Sequence, residues 1–131
     1  MFKKPMNVWG PAMWKVLHEK TYEYPDQPSN RDKTVIVKYF KNVEHSIPCK
    51  KCRHHYKQYL IRHPIEYRVD SRQELVRWLV DLHNEINAQN GKRIWSYKEV
   101  DKLYNKTQPD SDLYIIIAEV VAIIIVLFAR P

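Results

Sequence analysis

A chain of 131 residues can hold one compact domain with a short appendage, and its hydrophobic and aromatic residues suffice to bury a core. With only 2 Gly and little strand-like alternation, a turn-rich β-sandwich or barrel is excluded and an all-α fold remains. The formal charge of +7 would suit nucleic acid or an anionic surface. However, the basic residues are dispersed (Lys3-Lys4, Lys50-Lys51-Arg53, Arg62, Arg68, Lys92-Arg93, Lys102), with no arginine-rich arm, finger spacing or basic heptad, so a solvated surface and no nucleic-acid partner are expected.

The opening segment is broken by Asn7, Pro11 and Lys15 and does not read as a secretory signal. A first helix is predicted from Pro11 to Tyr22, with Met13, Trp14, Leu17, His18 and Thr21 on one face. Pro25 and Pro28 mark a loop. A second helix follows Ser29-Asn30, carries the stripe Val35, Ile36, Tyr39, Phe40 and Val43, and ends near His45. Ser46 then reads as a cap with Pro48 in the first turn, so the third helix opens at Cys49 and runs to Arg62, before Pro64. Ser71 and Glu74 form a capping box for a fourth helix bearing Leu75, Trp78, Leu79, Leu82, His83 and Ile86, which stops at Asn90-Gly91. Ser96 and Glu99 form another box, opening a short fifth helix to Tyr104. Four helices plus a short fifth make a bundle, assigned to residues 1–107.

Residues 108–131 form a spacer and an apolar tail. Leu113 to Ala129 is apolar apart from Glu119. About 17 residues at ~1.5 Å each give roughly 26 Å, slightly short of a ~30 Å hydrocarbon core. A C-terminal transmembrane helix is expected, with Tyr114 at the interface. Such an anchor inserts after synthesis, leaving the preceding domain in the cytosol. Lys98, Lys102 and Lys106, against a lone Arg130 beyond, fit that orientation. Glu119 is costly in lipid and is expected to be protonated or to face a partner helix.

Both cysteines fall in Pro48-Cys49-Lys50-Lys51-Cys52, which staples no long loop. One helical turn brings two such sulfurs within bonding reach. A helix N-terminus and the nearby Lys50, Lys51 and Arg53 favour a thiolate at Cys49. The competing readings are inert core thiols, against which the two lysines argue, and a zinc-binding, membrane-tethered interaction module using Cys49, Cys52 and His45, His54 or His55. A redox dithiol on helices needs an electron acceptor, which directs attention to Trp14 and His18 on the first helix and to Trp78, His83, Asn84 and Asn87 on the fourth. A lone buried His is an ordinary core residue. Trp and His aimed inward from two helices suit a flat, polar, aromatic ligand.

Trp9-Gly10-Pro11-x-x-Trp14-x-x-Leu17-His18, Pro48-Cys49-x-x-Cys52-x-x-His55-Tyr56 and Trp78-x-x-x-Leu82-His83-Asn84-x-x-Asn87-x-x-x-Gly91-Lys92 occur in that order. Over residues 8–104 the chain resembles the Erv/ALR flavin-linked sulfhydryl oxidases, and Gly-Pro at 10–11 looks most like the compact members from large DNA viruses. The resemblance implies a homodimeric bundle holding FAD without a covalent bond and no catalytic metal. It implies Cys49 as the outer, substrate-exchanging cysteine and Cys52 as the one beside the flavin. It implies cofactor contacts at Gly10, Trp14 and His18, at His83, Asn84 and Asn87, and at Lys92 and Trp95, with His55 at a further motif position. Protein dithiols, or a thioredoxin-like relay protein, are then the electron donors and oxygen the acceptor, with hydrogen peroxide released. This chain lacks the second, shuttle cysteine pair of many members. A cytosol-facing, membrane-anchored oxidase fits virion assembly in host cytoplasm.

Overall fold

The computed structural model of the chain describes residues 6–106 and 111–128, with side chains for 6–106 and 115–127. It contains α1 (Met6–Tyr22), α2 (Asn30–Asn42), α3 (Lys50–Arg62), α4 (Arg72–Gln89), α5 (Tyr97–Tyr104) and α6 (Ser111–Phe128), and no strand among the described residues. Two 3-10 turns, Val43–Ser46 and Ile65–Arg68, flank α3. The all-α expectation is met.

Capping explains most of the helix starts. At α2 and α5, Ser29 with Asp32 and Ser96 with Glu99 form reciprocal boxes, so each helix opens with backbone N–H groups satisfied by side chains. At α4 only half of the expected box forms: the Ser71 hydroxyl accepts from the Glu74 N–H. The α4 end is a Schellman arrangement. Gly91 takes φ +65°, and the Lys92 N–H reaches the Asn87 carbonyl at 2.8 Å while the Gly91 N–H reaches that of Ala88. A residue with Cβ is disfavoured in that left-handed conformation.

One boundary and one cap differ from expectation. The first helix starts at Met6, and Pro11 lies inside it rather than in its first turn. The third helix, Lys50–Arg62, meets its expected bounds to within one residue, but Ser46 is not its cap. Residues 43–46 form a 3-10 turn, and Ile47 is extended (φ −78°, ψ 114°), as a residue before proline prefers. The cap therefore falls on Cys49.

One core is shared by α1 to α4. Leu17, Ile36, Phe40, Tyr56, Tyr59, Leu75, Trp78, Leu79 and Leu82 are buried together. Its aromatic polar ends are satisfied: Tyr56 Oη donates to the Phe40 carbonyl at 2.6 Å, Tyr59 Oη to that of Trp78 at 3.2 Å, and Trp78 Nε1 to that of His63 at 2.9 Å. A second face of α4 buries Val76 and Val80 against Val100 of α5. In α2 the buried residues are Ile36 and Phe40, with Val43 continuing the stripe in the 3-10 turn that follows, whereas Val35 is exposed, since it falls about 100° from Ile36 around the helix.

The expected transmembrane span is not found: among the described residues no helix is long and apolar enough to cross a membrane. α6 is 18 residues long, roughly 27 Å at ~1.5 Å per residue against a ~30 Å hydrocarbon core. Its described side chains, 115–127, are exposed, Glu119 among them. Ser111 and Asp112 of the expected spacer are helical. The rest of that spacer, the boundary at 107/108, Tyr114's side chain and Arg130 lie outside the described residues.

Candidate active site

The local sequence places the sulfur pair at a helix start. Pro48 forces the chain into α3 from an extended approach, and Arg53 fixes that approach by donating from Nε and Nη2 to the Ile47 carbonyl at 3.3 and 3.0 Å. Cys49 and Cys52 are joined as a disulfide with Cα atoms 5.2 Å apart. The Cys52 N–H donates to Cys49 Sγ at 3.2 Å, so the first cysteine is itself the helix cap. An N–H and a helix N-terminus both favour negative charge on that sulfur. Cys52 packs against the main core and has Met6 Sδ 3.9 Å from its sulfur.

The disulfide lines a cleft of about 420 Å³ with Trp9, Trp14, His55, Leu82 and Ile86. A second cleft of about 390 Å³ is lined by Trp14, His18, His83, Asn87, Lys92 and Trp95. Met6, Gly10, Trp14, Ile86 and Asn90 border both, so the two form one continuous depression running from the sulfurs along α1 and α4.

Inside the second cleft the aromatic rings are layered. Trp14 stacks on His83 with ring centres 3.9 Å apart and planes 8° apart, and Tyr104 lies over His18 at 4.9 Å. His18 Nε2 and His83 Nδ1 are 2.9 Å apart, sharing one hydrogen bond. Burial drives the His18 pKa down to about 4. Burial, then the charges of His18 and Lys92, drives His83 down to about 3. Both rings are neutral at pH 7, so a single N–H sits between them.

Three features fit an anionic aromatic ligand here. His18 Nδ1 is buried with no hydrogen-bond partner among the described residues. Asn87 is 5% exposed and lines the cleft, bringing a side-chain amide to it. Lys92 and Arg93 line the same cleft, with Arg93 stacked 4.3 Å over the Trp95 ring.

Of the residues singled out from the sequence, Gly10, Trp14, His18, His83, Asn87, Lys92, Trp95, Cys49, Cys52 and His55 all border this depression. Asn84 does not. Its amide donates to the Trp95 carbonyl at 2.8 Å and accepts from the Trp95 N–H at 2.9 Å, clamping that segment from behind. Trp78 turns the other way, edge-on to Phe40 and Tyr59 in the core. Met6 and Tyr104 were missed. Tyr104 ends α5 and reaches the cleft only because α5 packs back on α1 and α4. No sequence signal marked Met6.

The zinc reading finds no ligand set. The cysteine sulfurs bond to each other, and among the described residues no three His, Cys, Asp or Glu side chains converge as a metal site.

A helical bundle that sets a Cys-x-x-Cys disulfide at one end of an aromatic, histidine-lined cleft defines an all-α dithiol–disulfide protein. The comparisons make this particular: residues 11–105 match the Erv1/Alr family, and the chain belongs to it. It is 34% identical over 100 residues to the "Probable FAD-linked sulfhydryl oxidase" of Acanthamoeba polyphaga mimivirus, covering 76% of this chain and 70% of the relative. The FAD-linked sulfhydryl oxidase of African swine fever virus (isolate Pig/Kenya/KEN-50/1950) is 29% identical over 99 residues, covering 76% and 82%. The crystal structure of the yeast Erv1 core superimposes with a TM-score of 0.75 at 25% identity, covering 84% of this chain and 91% of that one. That of the FAD-binding domain of Erv1 from Saccharomyces cerevisiae gives 0.73 at 25% identity, covering 78% and 95%.

Proposed function

We propose that this chain is an FAD-linked sulfhydryl oxidase that forms disulfide bonds in protein substrates. The observation that carries this reading is the continuity of the depression from the Cys49–Cys52 disulfide to the stacked Trp14 and His83. A substrate thiolate attacks Cys49 Sγ, and Cys52 leaves as a thiolate against the apolar part of the cleft. A second substrate thiol resolves the mixed disulfide. The Cys49 thiolate then departs with the Cys52 N–H already directed at its sulfur. FAD held in the cleft would supply the two-electron acceptor chemistry that restores the Cys49–Cys52 disulfide, with oxygen as final acceptor and hydrogen peroxide as product.

The chain's own groups hold that cofactor. Trp14, His18 and His83 offer flat faces and ring nitrogens, Asn87 an amide, Gly10 a backbone without a side chain, and Lys92 a cation. His55 borders the sulfur end and acts on neither sulfur directly in this reading. The purified chain is expected to carry visible flavin absorbance and to consume oxygen with dithiothreitol. A colourless protein that binds no added FAD would remove the reading.

Asn84 acts through Trp95. Asn84→Ala removes both bonds to the Trp95 backbone, with an expected loss of ~2 kcal/mol in stability. Its FAD dissociation constant should rise about 10-fold, and Trp95→Ala should reproduce that rise. Unchanged affinity and melting temperature in Asn84→Ala would show that the clamp has no such role.

The same reading includes a homodimer and attachment to a membrane through residues 108–131, with the catalytic domain facing the cytosol. Exposed Val16 and Val35 offer apolar surface for a second copy. The exposed isoleucines and valines of α6, interrupted only by Glu119, support the attachment. Deleting 108–131 is expected to move the chain from the membrane pellet to the supernatant while sparing oxidase activity. A truncated chain still in the pellet would contradict the attachment.

A further inference from the structure

The Cys49–Cys52 disulfide offers a nucleophile two sulfurs, and burial does not choose between them, since both residues are half-buried. Electronics favour the unproductive choice. Exchange is faster when the departing sulfur is the better-stabilised thiolate. Cys49 Sγ accepts from the Cys52 N–H at 3.2 Å and caps the N-terminus of α3, so it is the better leaving group. On that ground alone a substrate thiolate would attack Cys52, expel Cys49 and leave a mixed disulfide inside the cleft. Productive exchange needs the reverse, and therefore needs access to Cys52 to be restricted.

Met6 is placed to restrict it. It opens α1, its side chain lies over Gly10 one turn on, and its Sδ is 3.9 Å from Cys52 Sγ. It borders both parts of the depression, and at 39% exposed it also meets solvent. A side chain thus stands between solvent and the inner sulfur, whereas the partner of Cys49 Sγ is a backbone N–H. We propose that Met6 is a specificity-determining residue, a shield on Cys52 that directs incoming thiolates to Cys49. The inference rests on the oxidase reading above and concerns its first chemical step. In that step the substrate thiolate forms a bond to Cys49 Sγ, the Cys49–Cys52 bond breaks, and its electron pair leaves on Cys52. An unbranched thioether suits the position, because it adapts to the shape of the sulfur it covers and adds no charge beside the leaving thiolate.

The test mixes the FAD-loaded full chain with glutathione, a monothiol, quenches with acid within a turnover, and maps by mass which cysteine carries the adduct. The unsubstituted chain should carry at least about 10-fold more glutathione on Cys49 than on Cys52. Met6→Ala should bring the two within about threefold of each other, or invert them, while Met6→Leu, of similar bulk, should keep the preference for Cys49. An unchanged preference in Met6→Ala, at the same flavin content, overturns the inference and leaves the oxidase reading intact. A preference lost in Met6→Leu as well as in Met6→Ala also overturns it, because bulk is then not what protects Cys52. So does a preference that excess FAD restores to Met6→Ala, since the cofactor is then the shield. A chain that binds no FAD and consumes no oxygen with dithiothreitol overturns the oxidase reading and this inference with it.

Discussion

Cys52→Ser should lower dithiol-driven oxygen consumption by about 10³-fold or more while leaving FAD bound in full. A serine oxygen cannot form the bond that a substrate thiolate must break at Cys49, so exchange has nothing to act on. Nor does the sulfur hold the cofactor in this reading: the clefts are walled mainly by rings, amides and apolar side chains of α1 and α4. The variant also isolates Cys49 as a free thiol in its capping position. Its backbone partner, the N–H of residue 52, survives the change. That thiol should titrate below the usual ~8.5, since the donor and the helix N-terminus both favour the thiolate. Flavin spectra, oxygen consumption and the pH profile of Cys49 alkylation read these outcomes separately. Loss of flavin, or turnover near that of the unsubstituted chain, would overturn the division of roles.

Acid should destabilise the protein steeply, and the His18–His83 pair is the reason. In the fold their pKa values are about 4 and about 3, whereas in the unfolded chain both lie near 6.5. Between pH ~6.5 and ~4 the unfolded chain therefore binds up to two protons that the folded chain does not. Stability attributable to the pair is complete above pH ~6.5 and falls as pH is lowered through that window, with a slope approaching ~2.7 kcal/mol per pH unit. Urea unfolding at pH 7, 6 and 5 in excess FAD measures it. His83→Gln should roughly halve the slope, because one titrating ring remains. A free energy of unfolding that stays flat from pH 7 to 5 would show that the rings take up protons without loss of the fold.

Much of this was legible because the signals are local. Ser29, Ser71 and Ser96 mark helix starts because a short hydroxyl side chain reaches only its own next turn, and Gly91 marks a stop because it alone there adopts positive φ without a Cβ clash. The spacing of Trp14 and His18, and of His83 and Asn87, placed them on inward helix faces, where the structure finds them. Cys49 and Cys52 needed only one turn of helix to meet.

Other features depended on how the helices pack. Trp78 and His83 share a helix and a similar chemistry, yet one fills the core against Phe40 and Tyr59 while the other stacks on Trp14. Periodicity reports that a residue points inward, not which neighbour it meets. Asn84's clamp on the Trp95 backbone was not legible, because that partner comes from a segment eleven positions on that folds back onto α4. The cap on α3 moved from Ser46 to Cys49 because the 3-10 turn and Pro48 separate that serine from the helix. The amino-acid order alone thus determined the helices, their faces and the sulfur pair. Only the packing decided which rings line the cleft, which hold the core, and that the disulfide and the histidine pair open onto one depression. That contact joins α1 to α4 across 65 positions, and no local pattern of side chains encodes such a distance.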